Sequence, residues 1–273
     1  MPIREAACRF LSRRLRNRLK NFDTADWTAS AVIFAPHPDD ETLGCGGVLC
    51  KKIASGAELR FVFVTDGTCS HRGQIAPEEL CRQRKAEALE AVRRLGASAS
   101  AVTFLDFPDG RASDHVEAIT ERATALLHAW RPKSAFVIHA QDPSSDHAAV
   151  HRGVVQALKA YGMPVTVYEY PVWYWYHWPW VSFGGDLPGM WRRTARQTIS
   201  TVAGLRALST LNAATDISDV LGVKRAALEA HRSQTVRPAG HANWPILSDL
   251  ANGDFIKRLL ADYEVFTRYE LNA

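Results

Sequence analysis

The chain has 273 residues, of which 47% are hydrophobic, so it is long enough to bury the core of one large α/β domain. Its formal charge of +4 is unevenly placed, because residues 1–20 contain seven Arg and Lys against one Glu and the rest therefore carries a net charge of −2. This distribution excludes a nucleic-acid-binding body, since phosphate contacts need Lys and Arg clustered on the folded surface.

The apolar runs of the chain are short. None approaches the roughly 20 residues that span a bilayer, and none has the length of a signal-peptide core. The five cysteines are odd in number and lack the spacing of metal fingers, which is typical of reduced thiols in a reducing compartment. We therefore expect a cytoplasmic protein.

Residues 1–28 form a predicted basic helical segment. Such a helix can lie peripherally on the anionic inner face of a membrane, or it can be an ordinary solvated terminal helix. The sequence leaves both interpretations open. The apolar residues that alternate with its arginines at roughly helical spacing are Ala6, Ala7, Phe10, Leu11, Leu15 and Leu19.

Residues 29–273 are predicted to form a single domain in which apolar strands alternate with helices. This alternation predicts a Rossmann-like three-layer α/β sandwich with a mainly parallel sheet, whose reactive groups collect at the carboxyl ends of the strands. The predicted strands are AVIFA from 31, ELRFVFVT from 58, AVTFLDF from 101, SAFVIHA from 134 and PVTVYEY from 164. Helical patterns cover about 41–55, 77–95, 113–130, 147–161, 218–233 and 253–264.

An acidic motif, APHPDDE at 35–41, joins the first predicted strand to the next helix. A lone aspartate at this place would be explained as a helix cap. Two aspartates with a histidine two residues upstream exceed what capping requires, so the motif indicates chemistry.

A second cluster, HAQDPSSDH at 139–147, also follows a strand and precedes a helix. If the two strands are neighbours, His37, His147 and one of Asp39 and Asp40 form a set of two histidines and one carboxylate. Such a set commonly holds catalytic zinc with an open position for water. The remaining aspartate can then act as the general base, and spacing alone does not say which one.

An aromatic insertion at about 171–200 interrupts the alternation of strands and helices. It can stack on sugar rings, contact lipid headgroups or fold back onto the core. It carries five of the eight tryptophans, namely Trp173, Trp175, Trp178, Trp180 and Trp191.

These motifs resemble those of the LmbE-like (PIG-L) family of zinc-dependent N-acetylglucosamine de-N-acetylases. The family pattern is a strand followed by (A/P)-H-P-D-D-E and a distal H-x-D-H, and the first motif is matched in full. The resemblance implies hydrolysis of an N-acetylated amino sugar, in a glycan, a glycolipid or a sugar conjugate. Further family-like segments are VTDG at 64–67, RKAEALEAVRRLG at 84–96, FPDG at 107–110 and KRAALEAHRSQ at 224–234.

Carried over position by position, the resemblance implies that His37, Asp40 and His147 are the zinc ligands. It implies that Asp39 is the general base, which removes a proton from the attacking water.

The resemblance also implies roles for three residues around the metal. Asp146 would support catalysis by orienting a neighbour, for which a histidine is the expected candidate. Arg84 and Asp109 align with family positions that bind the sugar.

Ser144 departs from the family pattern, because it replaces the first histidine of H-x-D-H. A serine hydroxyl can donate a hydrogen bond but cannot carry positive charge, so zinc or another acid has to supply the rest. The departure leaves open a catalytically weakened or non-catalytic sugar-binding relative. A magnesium pocket is disfavoured by the two histidines, since magnesium prefers oxygen ligands. The candidate replacement acids are His139, His151, Tyr174, Tyr176, His177 and His231.

Overall fold

The computed structural model describes residues 2–18, 20–183 and 189–272. Leu19 of the basic segment and residues 184–188 of the aromatic insertion lie outside the described part. The strands are β1 (Ala31–Ala35), β2 (Leu59–Thr65), β3 (Val102–Phe107), β4 (Ser134–Ile138), β5 (Val165–Tyr170), β6 (Ala213–Asp216) and β7 (Tyr263–Leu271). The helices are α1 (Pro2–Arg18), α2 (Thr24–Thr28), α3 (Asp40–Ala54), α4 (Pro77–Arg94), α5 (Val116–Trp130), α6 (Ser145–Tyr161), α7 (Met190–Ser200), α8 (Ala207–Thr210), α9 (Leu221–Ala230), α10 (Arg232–Thr235) and α11 (Asp254–Leu259).

The strands form one seven-stranded sheet in the order β3-β2-β1-β4-β5-β7-β6. Strands β1 to β5 pair in parallel, whereas β7 runs antiparallel between β5 and β6. Strand order reverses between β1 and β4, which is where the carboxyl ends of parallel strands leave a crevice for ligands.

Helices cover both faces of the sheet and produce the predicted three-layer sandwich. One apolar cluster joins one face of the sheet to α3, α4 and α9, and a second joins the other face to α5 and α6. All five residues of β1 and of β4 are buried, as expected of strands covered on both sides. Strand β3 at the edge of the sheet is only partly buried.

The five predicted strands are confirmed, and the structure adds two strands that the sequence analysis missed. The predicted helix at 253–264 is wrong in its second half, because α11 ends at Leu259 and β7 begins at Tyr263. Helix α7 was also not predicted.

The basic segment and the aromatic insertion both contribute to the core. Leu11 and Leu15 of α1 are buried, as are Trp175 and Trp180 of the insertion, whereas Trp191 is exposed. Among the described helices, none combines the length and the apolar character needed to cross a bilayer.

Candidate active site

The two predicted clusters meet at the carboxyl ends of β1 and β4. His37 follows β1, and Asp40 is the first residue of α3. His147 lies in the first turn of α6, after the loop that leaves β4. Because β1 and β4 are paired neighbours, the two loops face each other across the crevice.

Three side chains converge there on a common point. His37 Nδ1 lies 3.2 Å from Asp40 Oδ2 and 3.2 Å from His147 Nε2, and His147 Nε2 lies 3.3 Å from Asp40 Oδ2. Tetrahedral zinc with bonds of about 2.0–2.1 Å has ligand atoms roughly 3.3–3.4 Å apart. The donor types and their spacing therefore fit a zinc ion with one open coordination position.

The opposite nitrogens of both histidines have carboxylate partners. His147 Nδ1 lies 2.9 Å from Asp142 Oδ1, and His37 Nε2 lies 3.1 Å from Asp109 Oδ1 and 3.3 Å from Asp146 Oδ2. A neutral histidine that donates through one nitrogen presents a lone pair on the other. The carboxylates thus select the tautomers in which His37 Nδ1 and His147 Nε2 both carry a lone pair that is available to a metal ion.

These carboxylates are themselves held by backbone N–H groups. Asp142 Oδ2 accepts hydrogen bonds from the amides of Val172 and Tyr174, at 2.9 and 3.0 Å. Asp146 accepts from the amides of Gly110 and Ala112, at 2.6 and 3.1 Å. The orientation of the histidines is therefore fixed by the main chain of neighbouring loops.

The electrostatics of the cluster favour a cation at this point. Burial alone would raise the pKa of Asp40, but His147 and His37 hold it well below its usual range. Burial alone would lower the pKa of His147, but Asp40 and Asp142 raise it to about 9. The pKa of His37 is raised well above its ordinary value against the same burial, chiefly by Asp109 and Asp146. The cluster therefore attracts either a proton or a metal ion.

Asp39 stands beside this centre without contributing to the three-atom set. Its backbone has φ +136°, a conformation that residues with a Cβ rarely adopt, and its side chain makes no capping hydrogen bond to α3. Its amide donates to Glu41 Oε2 at 3.1 Å, so the buried Glu41 helps to hold the unusual backbone. Burial raises the pKa of Asp39 to about 6, and Arg84 opposes that shift.

Arg84 is buried behind Asp39. Its guanidinium lies 3.1 Å from Asp39 Oδ2 and donates to the carbonyls of Pro38 and Gly67. The structure thus gives Arg84 a visible role in holding the loop of the acidic motif, while the predicted contact with a sugar stays a prediction.

A cavity of about 290 Å³ opens onto the cluster. Ser144 lines it at the N-terminus of α6, and its side chain makes no capping hydrogen bond. Arg193 of α7, which the sequence analysis did not single out, lines the same cavity. Among the described lining residues there is none of the six candidate replacement acids.

Two of the residues that shape the site were missed by sequence reasoning. Asp142 orients His147. In the sequence, only its position before Pro143 in the second cluster could have indicated this role. Glu41 belongs to the acidic motif. Because the helix dipole favours a glutamate in the first turn of any helix, the sequence did not indicate a further role for it.

Comparison with known proteins places these motifs in a wider context. Residues 32–158 match the family model described as PIG-L, GlcNAc-PI de-N-acetylase. A 1D-myo-inositol 2-acetamido-2-deoxy-alpha-D-glucopyranoside deacetylase of Nocardia farcinica is 26% identical in an alignment that covers 78% of this chain and 83% of the relative.

Two solved structures share the fold. The N,N'-diacetylchitobiose deacetylase of Pyrococcus horikoshii has a TM-score of 0.61 at 18% identity, covering 98% of this chain and 92% of the other. GalB, the 4-carboxy-2-hydroxymuconate hydratase of Pseudomonas putida, has a TM-score of 0.55 at 15% identity, covering 89% and 96%. Because one fold carries a deacetylase and a hydratase, function has to be argued from the residues of the site.

Proposed function

We propose that this chain, of which residues 32–158 match the PIG-L family model, is a zinc-dependent de-N-acetylase of the PIG-L (LmbE-like) family. Its substrate is an N-acetylated amino sugar of the N-acetylglucosamine type, within a glycan, a glycolipid or a sugar conjugate. The deacetylase activities named for the similar proteins support this substrate class.

One observation carries the proposal. Two imidazole nitrogens and one carboxylate oxygen lie 3.2–3.3 Å apart at the edge of a cavity that also contains Asp39. His37, Asp40 and His147 would hold the ion. When bound, zinc lowers the pKa of a water molecule and polarises a carbonyl group.

Asp39 is suited to move the protons of the reaction. Its Oδ2 is paired with Arg84, which leaves Oδ1 to accept a proton from the water that attacks the amide carbon. With a pKa of about 6 the carboxyl is mostly ionised at neutral pH, yet it can be protonated transiently. The same oxygen then returns the proton to the sugar nitrogen as the C–N bond breaks, and acetate and a free amine result.

Ser144 is placed to stabilise the negative charge that develops on the carbonyl oxygen of the substrate. Ser144 lines the cavity and its hydroxyl is not used to cap α6, so this hydroxyl can donate one hydrogen bond to that oxygen. The same serine favours the second candidate function, a sugar-binding relative with weakened hydrolysis, because it cannot carry the positive charge of a histidine.

The N-terminal helix supports a peripheral contact with an acidic membrane surface on the cytoplasmic side. Ile3 and Phe10 of α1 are exposed, Arg9 lies between them in the sequence, and Arg13 and Arg14 follow Phe10.

The test combines metal analysis with an acetate-release assay on N-acetylglucosamine derivatives. We expect Asp39→Ala and Asp39→Asn to retain bound zinc but to lose turnover by about 10²–10⁴-fold, as for a removed general base. We expect His147→Ala to lose the metal. Chelation should abolish activity, and added zinc should restore it.

Other outcomes separate the two candidates. Full activity in Asp39→Ala would remove Asp39 as the base, and equal zinc content in His147→Ala and the parent protein would remove His147 as a ligand. Saturable sugar binding without any acetate release would favour the sugar-binding relative.

A further inference from the structure

A second cavity, of about 650 Å³, adjoins the active-site cavity. Three arginines line it: Arg193 and Arg196 of α7, and Arg206 just before α8. Its other described lining residues are uncharged, namely Gln141, Pro143, Tyr174, Gln197, Ser200 and Thr201. The described lining therefore carries a formal charge of three positive units and no acidic side chain.

The two cavities share a wall. Arg193 lines both of them. The loop after β4 contributes Pro143 to the second cavity and the adjacent Ser144 to the active-site cavity. The two cavities therefore meet at Arg193 and at the loop that carries Pro143 and Ser144.

The guanidinium groups of this cavity differ from those of several other arginines of the protein, which pair with carboxylates. Arg237 is paired with Asp249 and Arg268 with Asp26. Neither Arg193, nor Arg196, nor Arg206 forms an ion pair with any carboxylate of the described residues.

Arg193 is also held in place. Its guanidinium lies 4.5 Å from the centre of the Trp173 ring, a stacking arrangement that fixes the orientation of the planar group. Burial lowers the pKa of Arg193, with Asp142 opposing the shift. A partly buried cation without an anionic partner is unfavourable unless a ligand provides one.

We propose that the second cavity is a binding site for an oxyanion carried by the substrate, so that the enzyme acts on acidic N-acetyl amino sugars. Planar guanidinium groups bind phosphate and carboxylate oxygens in pairs, and Ser200, Gln197 and Tyr174 add neutral donors around them. The acidic group is a phosphate ester on the sugar or the carboxylate of a neighbouring uronic acid. This inference rests on the proposed deacetylase function, because it assigns the substrate of the same site.

The test measures binding by calorimetry on zinc-loaded protein at fixed ionic strength. The probes are N-acetylglucosamine-1-phosphate, an N-acetylhexosaminyl uronic acid disaccharide and the uncharged methyl N-acetylglucosaminide. The variant Arg196→Ala/Arg206→Ala removes two charges from the cavity. Its matched control, Arg192→Ala/Arg225→Ala, removes two exposed charges that do not line it.

We expect the parent protein and the control to bind one acidic probe at least about tenfold more tightly than the uncharged sugar, and the Arg196/Arg206 variant to lose that preference. The acidic probe that is preferred identifies the source of the oxyanion. Phosphate can also contact zinc directly, so the difference between the variant and the control is the decisive quantity. Equal affinities of these two proteins for both acidic probes would overturn the proposal.

Failure of the subsite and failure of the deacetylase function are distinguishable. If acetate is released equally well from charged and uncharged sugars, the subsite is wrong and the deacetylase stands. If binding of an acidic probe depends on Arg196 and Arg206 but no sugar releases acetate, the subsite is supported and the deacetylase is wrong.

Discussion

At the scale of single residues, Asp142 determines which nitrogen of His147 faces the cavity. It accepts the Nδ1 proton at 2.9 Å through one oxygen and two backbone N–H groups through the other. Both carboxylate oxygens of Asp142 are therefore already in use as hydrogen-bond acceptors. The imidazole of His147 keeps the lone pair on Nε2, which is available to a metal. A carboxylate that holds a metal-ligating histidine in this way raises the basicity of the ligand and fixes the orientation of its ring.

Asp142→Asn should weaken zinc binding by about 10–100-fold, because an amide nitrogen facing Nδ1 favours the tautomer with its proton on Nε2. Competition with a chromophoric chelator measures the affinity. Glu169→Gln is a matched control, since Glu169 Oε1 lies 2.8 Å from His151 Nε2, away from the three ligands. Equal loss of zinc affinity in the two variants would indicate a general effect of burial rather than orientation.

The three residues that converge in the candidate site, His37, Asp40 and His147, could be predicted because each follows the end of a strand that the sequence reveals. The supporting residues could not be ranked in the same way. Asp142 and Glu41 act through a backbone or a ring nitrogen whose position only the folded chain defines. Arg193 and Arg196 of α7 belong to a stretch without a recognisable motif, and the cavity that they line forms from residues far apart in sequence.

At the scale of elements, α3 carries Asp40 and must lie very close to β5. A Cβ added to Gly44 would be 2.2 Å from Cδ2 of Tyr170, well inside any normal contact. The ring of Tyr170 cannot easily move aside, because its hydroxyl donates to the carbonyl of Phe34 at 2.9 Å. The position of Asp40 thus depends on the absence of a side chain at Gly44, one turn further along the helix.

Gly44→Ala should lower the free energy of unfolding by about 1–3 kcal/mol, the usual cost of overpacking, and should weaken zinc binding through the displaced helix. Gly46→Ala is the control. Its added Cβ would be 3.4 Å from Cγ of Lys224, which is an ordinary van der Waals distance, and alanine favours a helix over glycine by about 1 kcal/mol. Denaturant unfolding compares the two, and equal stability of both variants would contradict the close approach of α3 and β5.

Strands β1 to β5 were predictable because parallel strands buried on both faces read as continuous apolar runs. Strand β6 has only four residues, and β7 contains polar residues such as Glu264 and Arg268 at positions that a buried strand would fill with apolar side chains. The antiparallel part of the sheet therefore left no apolar run to detect. Both charges are paired with residues from other parts of the chain, Arg268 with Asp26 and Glu264 with Lys224.

At the scale of the whole molecule, a buried ion pair links β7, α9 and α3. Lys224 Nζ lies 2.7 Å from Glu264 Oε1 and donates to the carbonyls of Leu43 and Leu259. Glu264 accepts from the amide of Gly47 at 2.9 Å. Leu43 and Gly47 are one helical turn apart, so the pair fastens the middle of α3 to the last strand of the chain.

Glu264→Gln should destabilise the protein by about 3–5 kcal/mol, because it leaves the buried Lys224 ammonium without an anion. The double variant Lys224→Met/Glu264→Gln should recover most of the loss, since it removes the cation and keeps an amide oxygen for the N–H of Gly47. A double-mutant cycle by denaturant unfolding gives the coupling energy. Additive effects of the two substitutions would show that the pair is not coupled.

The contacts of α1 have a consequence for the synthesis of the protein on the ribosome. Arg4 pairs with Asp254 at 3.2 Å, across 250 residues, and Arg16 pairs with Asp262. At about 5–20 residues per second, translation takes roughly 10–50 s to deliver these partners. Throughout that interval Arg4 and Arg16 of the nascent helix lack these two acidic partners.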